Sequence, residues 1–258
     1  SGVMGRIIVH IGAPKCGSTY LQRVFLKNQR ALRRAGVNYP HCGPGHPGNG
    51  AQIDHITGPW LQANMAGFHT LVLSHENLFA LPPKGRRLAH LAQKYNLAFH
   101  VVAFLRPFAG WLAADYSQTV RQAVAGQGTP PPGFDHFIDL RRAKITPTCF
   151  LRDWGGLPGA QLTVAAKADM QTTMIHHVPQ LAPMDWTIPR WRANPSLPLD
   201  NAKKAARALR AGHRDMAKRL ITQRLPDRAG RKTPYNNHIA MAFEAERYAI
   251  FKTYGVAL

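Results

Sequence analysis

Acidic residues are scarce in this chain. Thirteen aspartates and glutamates stand against 33 lysines and arginines over 258 residues, for a formal net charge of +20. That imbalance implies anionic partners, or at least strong steering of anionic ligands. Cysteine is also sparse. Cys16, Cys42 and Cys149 form no C-x-x-C pair, which excludes a disulfide scaffold and points to a reducing compartment. No apolar run reaches the length of a membrane span and no signal peptide is visible, so a cytoplasmic location is expected. Zinc-finger, RRM and homeodomain signatures are missing, and so is any aromatic–basic repeat, so nucleic acid is not the expected partner. There is no internal repeat and no linker-like composition shift. The expectation is therefore one domain over 1–258. Hydrophobic residues make up 45%, enough to exclude a disordered chain.

The most informative stretch is 7–28, IIVHIGAPKCGSTYLQRVFLKN. A β-branched apolar run stops at Gly12. A turn with a proline, a lysine and two hydroxyls follows. An amphipathic helix then begins, with Leu21, Val24 and Phe25 on one face. This strand–loop–helix layout points backbone N–H groups and a helix N-terminus at an anion. Gly12 and Gly17 keep the spacing of the nucleotide-binding loop G-x-x-x-x-G-K-[ST], but Ser18 fills the lysine slot and Lys15 sits inside the loop. A kinase or ATPase needs that lysine at the helix start to reach the β- and γ-phosphates.

The rest of the chain alternates strand and helix signals. Strands are expected at Arg6–Ile11, Thr70–Ser74, Phe99–Leu105 and Gln161–Ala166. Helices are expected at Ser18–Ala35, Arg86–Tyr95, Phe108–Val124, Leu199–Leu225 and Ile239–Tyr254. Such alternation implies an α/β fold, a single P-loop-like domain with a mostly parallel sheet flanked by helices. Ligands of such sheets sit at the carboxyl ends of strands. Gly12–Thr19, Ser74–Asn77 and Arg106 all follow expected strands, so they are expected to line one crevice. Two loops interrupt the pattern: 41–50, rich in Gly, Pro and His, and 126–134, proline-rich and expected to be extended. Basic residues from Lys203 to Arg219 fall at helical spacing, a solvated face or one turned toward an anionic neighbour.

Pro14, Lys15, Gly17, Ser18 and Thr19, in P-K-x-G-[ST]-T order, resemble the 5′-phosphosulfate loop of the PAPS-dependent sulfotransferases, in particular bacterial members. Residues 101–121, VVAFLRPFAGWLAADYSQTVR, are similar to the family's strand–Arg–helix element for the 3′-phosphate, with Arg106 at the family arginine. The family serine eight residues on is Ala114 here; Asp115 and Ser117 are its polar neighbours. Asn28, GVNYP at 36–40 and NPSL at 194–197 also resemble bacterial members. The resemblance implies PAPS as donor, with PAP as product and no metal required. It implies Lys15 as the cation that stabilises the leaving oxygen. The 5′-phosphate would be held by Pro14, Lys15, Cys16, Gly17, Ser18 and Thr19, with Tyr20 near the adenine or in the core. Arg106, Ser117, Arg231 and Lys232 are the candidates for the 3′-phosphate; the last two alternatively form a solvated turn or meet an acidic acceptor.

Transfer to a hydroxyl also needs a base. Glu76, with His75 second, follows the Thr70–Ser74 strand. A helix capped by Ser74, with Glu76 as an ordinary first-turn carboxylate, is the alternative. His10, at the end of the first strand, is expected either behind the site or simply buried. Cys16 is either a reactive thiolate beside lysine or an ordinary loop residue, and the latter is preferred. No histidine spacing predicts a metal site. The expected acceptor is a carbohydrate, lipid or small metabolite. A nucleotide kinase or NTPase, and a basic anion-binding protein without catalysis, are the alternatives.

Overall fold

The computed structural model describes residues 2–189, 197–223 and 237–258. Strand β1 (Gly5–Gly12) leads into helices α1 (Ser18–Lys27) and α2 (Gln29–Arg34) and the two-residue strand β2 (Val37–Asn38). Helix α3 (Gly58–Met65) precedes β3 (Thr70–Ser74), and α4 (Arg86–Lys94) precedes β4 (Leu97–Leu105). Helices α5 (Phe108–Val124), α6 (Phe134–Arg142) and α7 (Pro147–Gly155) lie between β4 and β5 (Ala160–Ala166). Helices α8 (Met170–His177), α9 (Leu199–Arg210), α10 (Arg214–Thr222), α11 (Asn237–Ala242) and α12 (Glu244–Tyr254) complete the order. None of the described helices is long and apolar enough to cross a membrane.

The sheet has the order β2-β3-β1-β4-β5, and every pair is parallel. The fold is therefore α/β, as the alternation of signals implied. Ile7, Ile8, Val9 and Ile11 of β1 are all buried. A central parallel strand is covered on both faces, which is why its sequence reads as an unbroken apolar run rather than an alternation. Beyond β1 the chain runs to the β2–β3 side. Beyond β4 it reaches β5 on the opposite side. The two connections part between β1 and β4, the topology that opens a ligand crevice at the carboxyl ends.

The chain divides into two compact units. The first holds the whole sheet with α1–α4, α7 and α8; the second holds α5, α6 and α9–α11. In the first, Leu21, Val24 and Phe25 of α1 pack into a cluster with Val72, Val102, Phe104, Met174 and Trp186. The Phe25 ring stacks on Tyr39 at 5.0 Å, and truncating such a ring to alanine costs about 3–5 kcal/mol. In the second, the carbonyls of Pro131 and Pro132 in the proline-rich loop accept hydrogen bonds from Arg210 and the Tyr116 hydroxyl.

Three expected helices are in fact pairs. The helix expected over 18–35 breaks at Asn28. The Asn28 amide donates to the carbonyls of Val24 and Asp185, and its oxygen accepts from the Asp185 N–H. Side-chain bonds to backbone compete with the helix ladder in this way. The helix expected over 199–225 breaks at Gly212, where φ is +82°. The Gly212 N–H bonds to the Leu209 carbonyl and the His213 N–H to the Ala208 carbonyl, the paired bonds of a Schellman cap. Residues 224 and 225 lie outside the described residues. The helix expected over 239–254 is split at Phe243, which is buried. Strand β2 and helices α3, α6, α7 and α8 fall outside the expected elements.

Candidate functional site

The loop from Ala13 to Gly17 turns the chain from β1 into α1. Two of its backbones, Lys15 (φ 62°) and Gly17 (φ 87°), and that of Gly12 just before it (φ 107°) lie in the left-handed region. Glycine adopts that region freely, whereas lysine does so at a cost of about 1–3 kcal/mol that functional sites tend to carry. The Ala13 N–H bonds to the Phe104 carbonyl and the Cys16 N–H to the Ala13 carbonyl, pinning the loop to the end of β4. Glycine at position 12 also lets another chain segment approach. A Cβ there would lie 3.1 Å from the Glu76 Cα, so the residue after His75 packs directly against the start of the loop.

Helix α1 opens at Gly17 with no side-chain cap. The first N–H groups of a helix have no partner within it. The Ser18 side chain is 5% exposed, and its hydroxyl has no hydrogen-bond partner. A buried hydroxyl without a partner is uncommon and asks for an explanation. Here it sits among helix-start amides, where an anion would supply the missing acceptor. Lys15 and Thr19 are exposed beside it. Pro14 is half-buried. Tyr20 is 40% exposed, and its hydroxyl donates to the Trp186 carbonyl. Its ring edge is therefore held at the surface rather than in the core.

Cys16 is fully buried. Burial pushes its thiol up to about 12, against the opposing pull of Arg106 and Lys167. A thiol so protected is not a nucleophile. Burial favours the ordinary loop-residue reading, with the side chain packed as an apolar plug under the loop.

Arg106 follows β4 and donates a 3.0 Å hydrogen bond to the Lys15 carbonyl. Within the second unit, Asp115 is paired with Arg141 at 2.8 Å. Ser117 belongs to the second unit, where its hydroxyl donates to the Leu197 carbonyl. Arg231 and Lys232 lie outside the described residues.

The other side of the loop is a polar network at the end of β3. Ser74 is a strand residue, not a helix cap. The cap of the short 3₁₀ turn Glu76–Leu78 is His75, whose Nδ1 accepts from the Asn77 N–H at 3.1 Å. The Ser74 hydroxyl meets His10 Nδ1 at 2.8 Å and accepts from Gln22 Nε2 at 3.0 Å. The same Gln22 nitrogen donates to Glu76 Oε2 at 3.1 Å. Helix α1 thus starts at the anion loop and, one turn later, ties down Glu76. His10 is buried completely, and burial outweighs the attraction of Glu76 to bring its pKa down to about 4.

His46, which the sequence pattern did not single out, completes the network. Its Nδ1 accepts from the Gly48 N–H at 2.9 Å, and its Nε2 lies 2.8 Å from Glu76 Oε1. Burial pushes the Glu76 carboxyl up. Its own backbone N–H, Gln22, His75 and His46 together outweigh that and hold it below the usual carboxylate range. The loop carrying His46 is bound to β3: Asn49 accepts from the Ser74 N–H, and the N–H groups of Asn49 and Gly50 donate to the Ser74 carbonyl. The only hint in the sequence was the histidine content of 41–50.

His46, His75 and Glu76 lie close enough to be considered as metal ligands. In both rings Nδ1 accepts an amide proton, so each neutral ring carries its own proton on Nε2. A metal-bound imidazole has the reverse arrangement, donating from the nitrogen away from the ion. The cluster is built as a hydrogen-bond network around a carboxylate.

No family model matches this chain, and no curated protein matches it. Among solved structures, a sulfotransferase domain from the curacin biosynthetic pathway aligns with 95% of this chain and 98% of its own, at a TM-score of 0.41 and 14% identity.

Proposed function

We propose that this protein is a PAPS-dependent sulfotransferase acting on a hydroxyl or amine of a carbohydrate, a lipid or a small metabolite. One observation carries the reading. The anion loop has its lysine inside the turn, a buried and unpartnered hydroxyl at the helix start, and against its first glycine the backbone of Glu76, whose carboxylate is hydrogen-bonded. A triphosphate loop has its lysine where this chain has Ser18.

The residues present fit a phosphosulfate donor. The Ser18 hydroxyl and the amides of Gly17–Thr19 would hold the 5′-phosphate, and Arg106 would fork onto the 3′-phosphate. When bound, PAPS supplies the sulfuryl group and PAP departs. Lys15 holds a positive charge where the bridging oxygen of the leaving phosphate gains electrons. Glu76 takes the proton released by the acceptor as its oxygen or nitrogen bonds to sulfur. Glu76 is the better base on geometry. The Nδ1 of His75 is occupied by the Asn77 N–H and its Nε2 carries the proton, so His75 can donate to an acceptor but not deprotonate it. The scheme requires no metal, and the setting proposed for it is the cytoplasm.

Thermal denaturation tests the reading. PAP should raise the melting temperature by mass action, whereas stabilisation by ATP–Mg²⁺ without any effect of PAP would assign the loop to nucleotide triphosphates. A screen of sulfate transfer from labelled PAPS to carbohydrate, amine and lipid acceptors, read by mass, identifies the acceptor. Lys15→Ala should abolish transfer while leaving the melting temperature of the unliganded protein nearly unchanged.

A further inference from the structure

We propose, resting on the donor reading above, that Lys167 is a third cation of the anion cradle and contacts the 5′-phosphate end of the donor. Lys167 is the first residue after β5. The parallel register pairs Leu105 with Ala166, so the next residue on each strand, Arg106 and Lys167, stand side by side at the carboxyl edge. The lysine stem reaches across β4 to the loop after β1. A Cβ placed on Gly17 would lie 3.1 Å from Lys167 Cε and 3.7 Å from its Cγ. The space left by the glycine at the helix start is thus filled by the lysine stem together with the end of Met170. Arg106 after β4 and Lys167 after β5 thus both reach the loop after β1, which carries Lys15.

The electrostatics point to a ligand. Lys167 is exposed as a residue, but its Cε lies against Gly17. Burial lowers its pKa and the neighbouring Arg106 lowers it further, with only the Cys16 thiol opposing. No carboxylate among the described residues pairs with it. Two cations held together without a counter-ion are unfavourable in the protein alone. A bound phosphate would relieve the repulsion. The same anion would give the Ser18 hydroxyl, buried and without a partner one residue past Gly17, its acceptor. Because the stem crosses Gly17 itself, the phosphate it reaches is the one over the helix start.

Isothermal titration of the full chain and of Lys167→Met and Lys167→Arg decides this, with PAP, 5′-AMP and inorganic pyrophosphate as probes. Lys167→Met should weaken PAP and 5′-AMP by a similar factor of about tenfold or more, the usual consequence of losing a charge-assisted hydrogen bond. Lys167→Arg should retain most of the affinity, and both variants should melt like wild type without ligand. Equal PAP affinity in wild type and Lys167→Met would overturn the assignment and leave the donor reading intact. A loss for PAP without a loss for 5′-AMP would overturn the placement at the 5′ end. Wild type that binds pyrophosphate through Lys167 but not PAP would uphold the third cation and reject the donor. Failure to bind any of the three would reject both.

Discussion

His46 Nε2 lies 2.8 Å from Glu76 Oε1. The contact joins a Gly- and Pro-rich loop to the carboxylate of a residue whose backbone packs against the start of the anion loop. It makes His46 a positioning residue for Glu76, alongside Gln22, which holds the other carboxylate oxygen.

Removing His46 should therefore change Glu76 in a predictable direction. The Glu76 carboxyl lies below its ordinary 4.5 in the folded state. Its ionised form thus contributes stability that is present above pH 4.5 and lost as the pH falls through the folded value. His46→Ala leaves burial less opposed, so the pKa rises. The acid limb of the kcat/KM profile should move to higher pH, and stability at pH 7 should fall by about 1 kcal/mol. His46→Gln, which can still donate to the carboxylate, should restore much of both. Melting temperature followed from pH 3 to 8 checks the linkage without any activity assay.

Cys16 should be silent toward alkylating agents in the native protein. Its thiol is buried and pushed up to about 12, whereas Cys42 and Cys149 are exposed. Mass spectrometry after iodoacetamide at pH 8 should show rapid labelling of Cys42 and Cys149, with Cys16 labelled only once denaturant is added. Labelling of Cys16 at the rate of the other two would contradict the plug role.

The two glycines of the loop should not tolerate alanine equally. Both have φ in the left-handed region. At Gly12 a new Cβ meets the backbone of Glu76 and Pro14, but at Gly17 it meets only side-chain atoms of Met170 and Lys167, which can shift. Gly12→Ala should cost about 2–3 kcal/mol and displace Glu76, and Gly17→Ala about 1 kcal/mol. Urea denaturation measures the first difference. Loss of the proposed sulfuryl transfer disproportionate to the loss of stability would report the second.

Asn28→Ala should loosen the end of α1 from the segment around Asp185. The substitution removes three hydrogen bonds, two of them to the backbone N–H and carbonyl of Asp185. A cost of about 1–3 kcal/mol is expected in urea denaturation. A variant that unfolds like wild type would mean that the helix break at Asn28 is set by local propensity instead.

Much of this protein is determined within short stretches of its sequence. The apolar run of β1, the glycine spacing, the misplaced Lys15 and the amphipathic face of α1 are local, so strand, loop and helix could be read together. Thr70–Ser74 and Phe108–Val124 were legible for the same reason: an apolar run or a periodic face ends at a clear boundary. What tertiary structure alone decided are relationships between residues far apart in the chain. His46 reaches Glu76 only because Asn49 and Gly50 bond its loop to the end of β3. Lys167 reaches Gly17 only because the parallel register sets β5 beside β4. Asn28 breaks a helix because Asp185 offers it backbone partners. Side-chain pattern specifies which face is buried, but the strand order brings separate loops to the same edge, and no local pattern encodes that order.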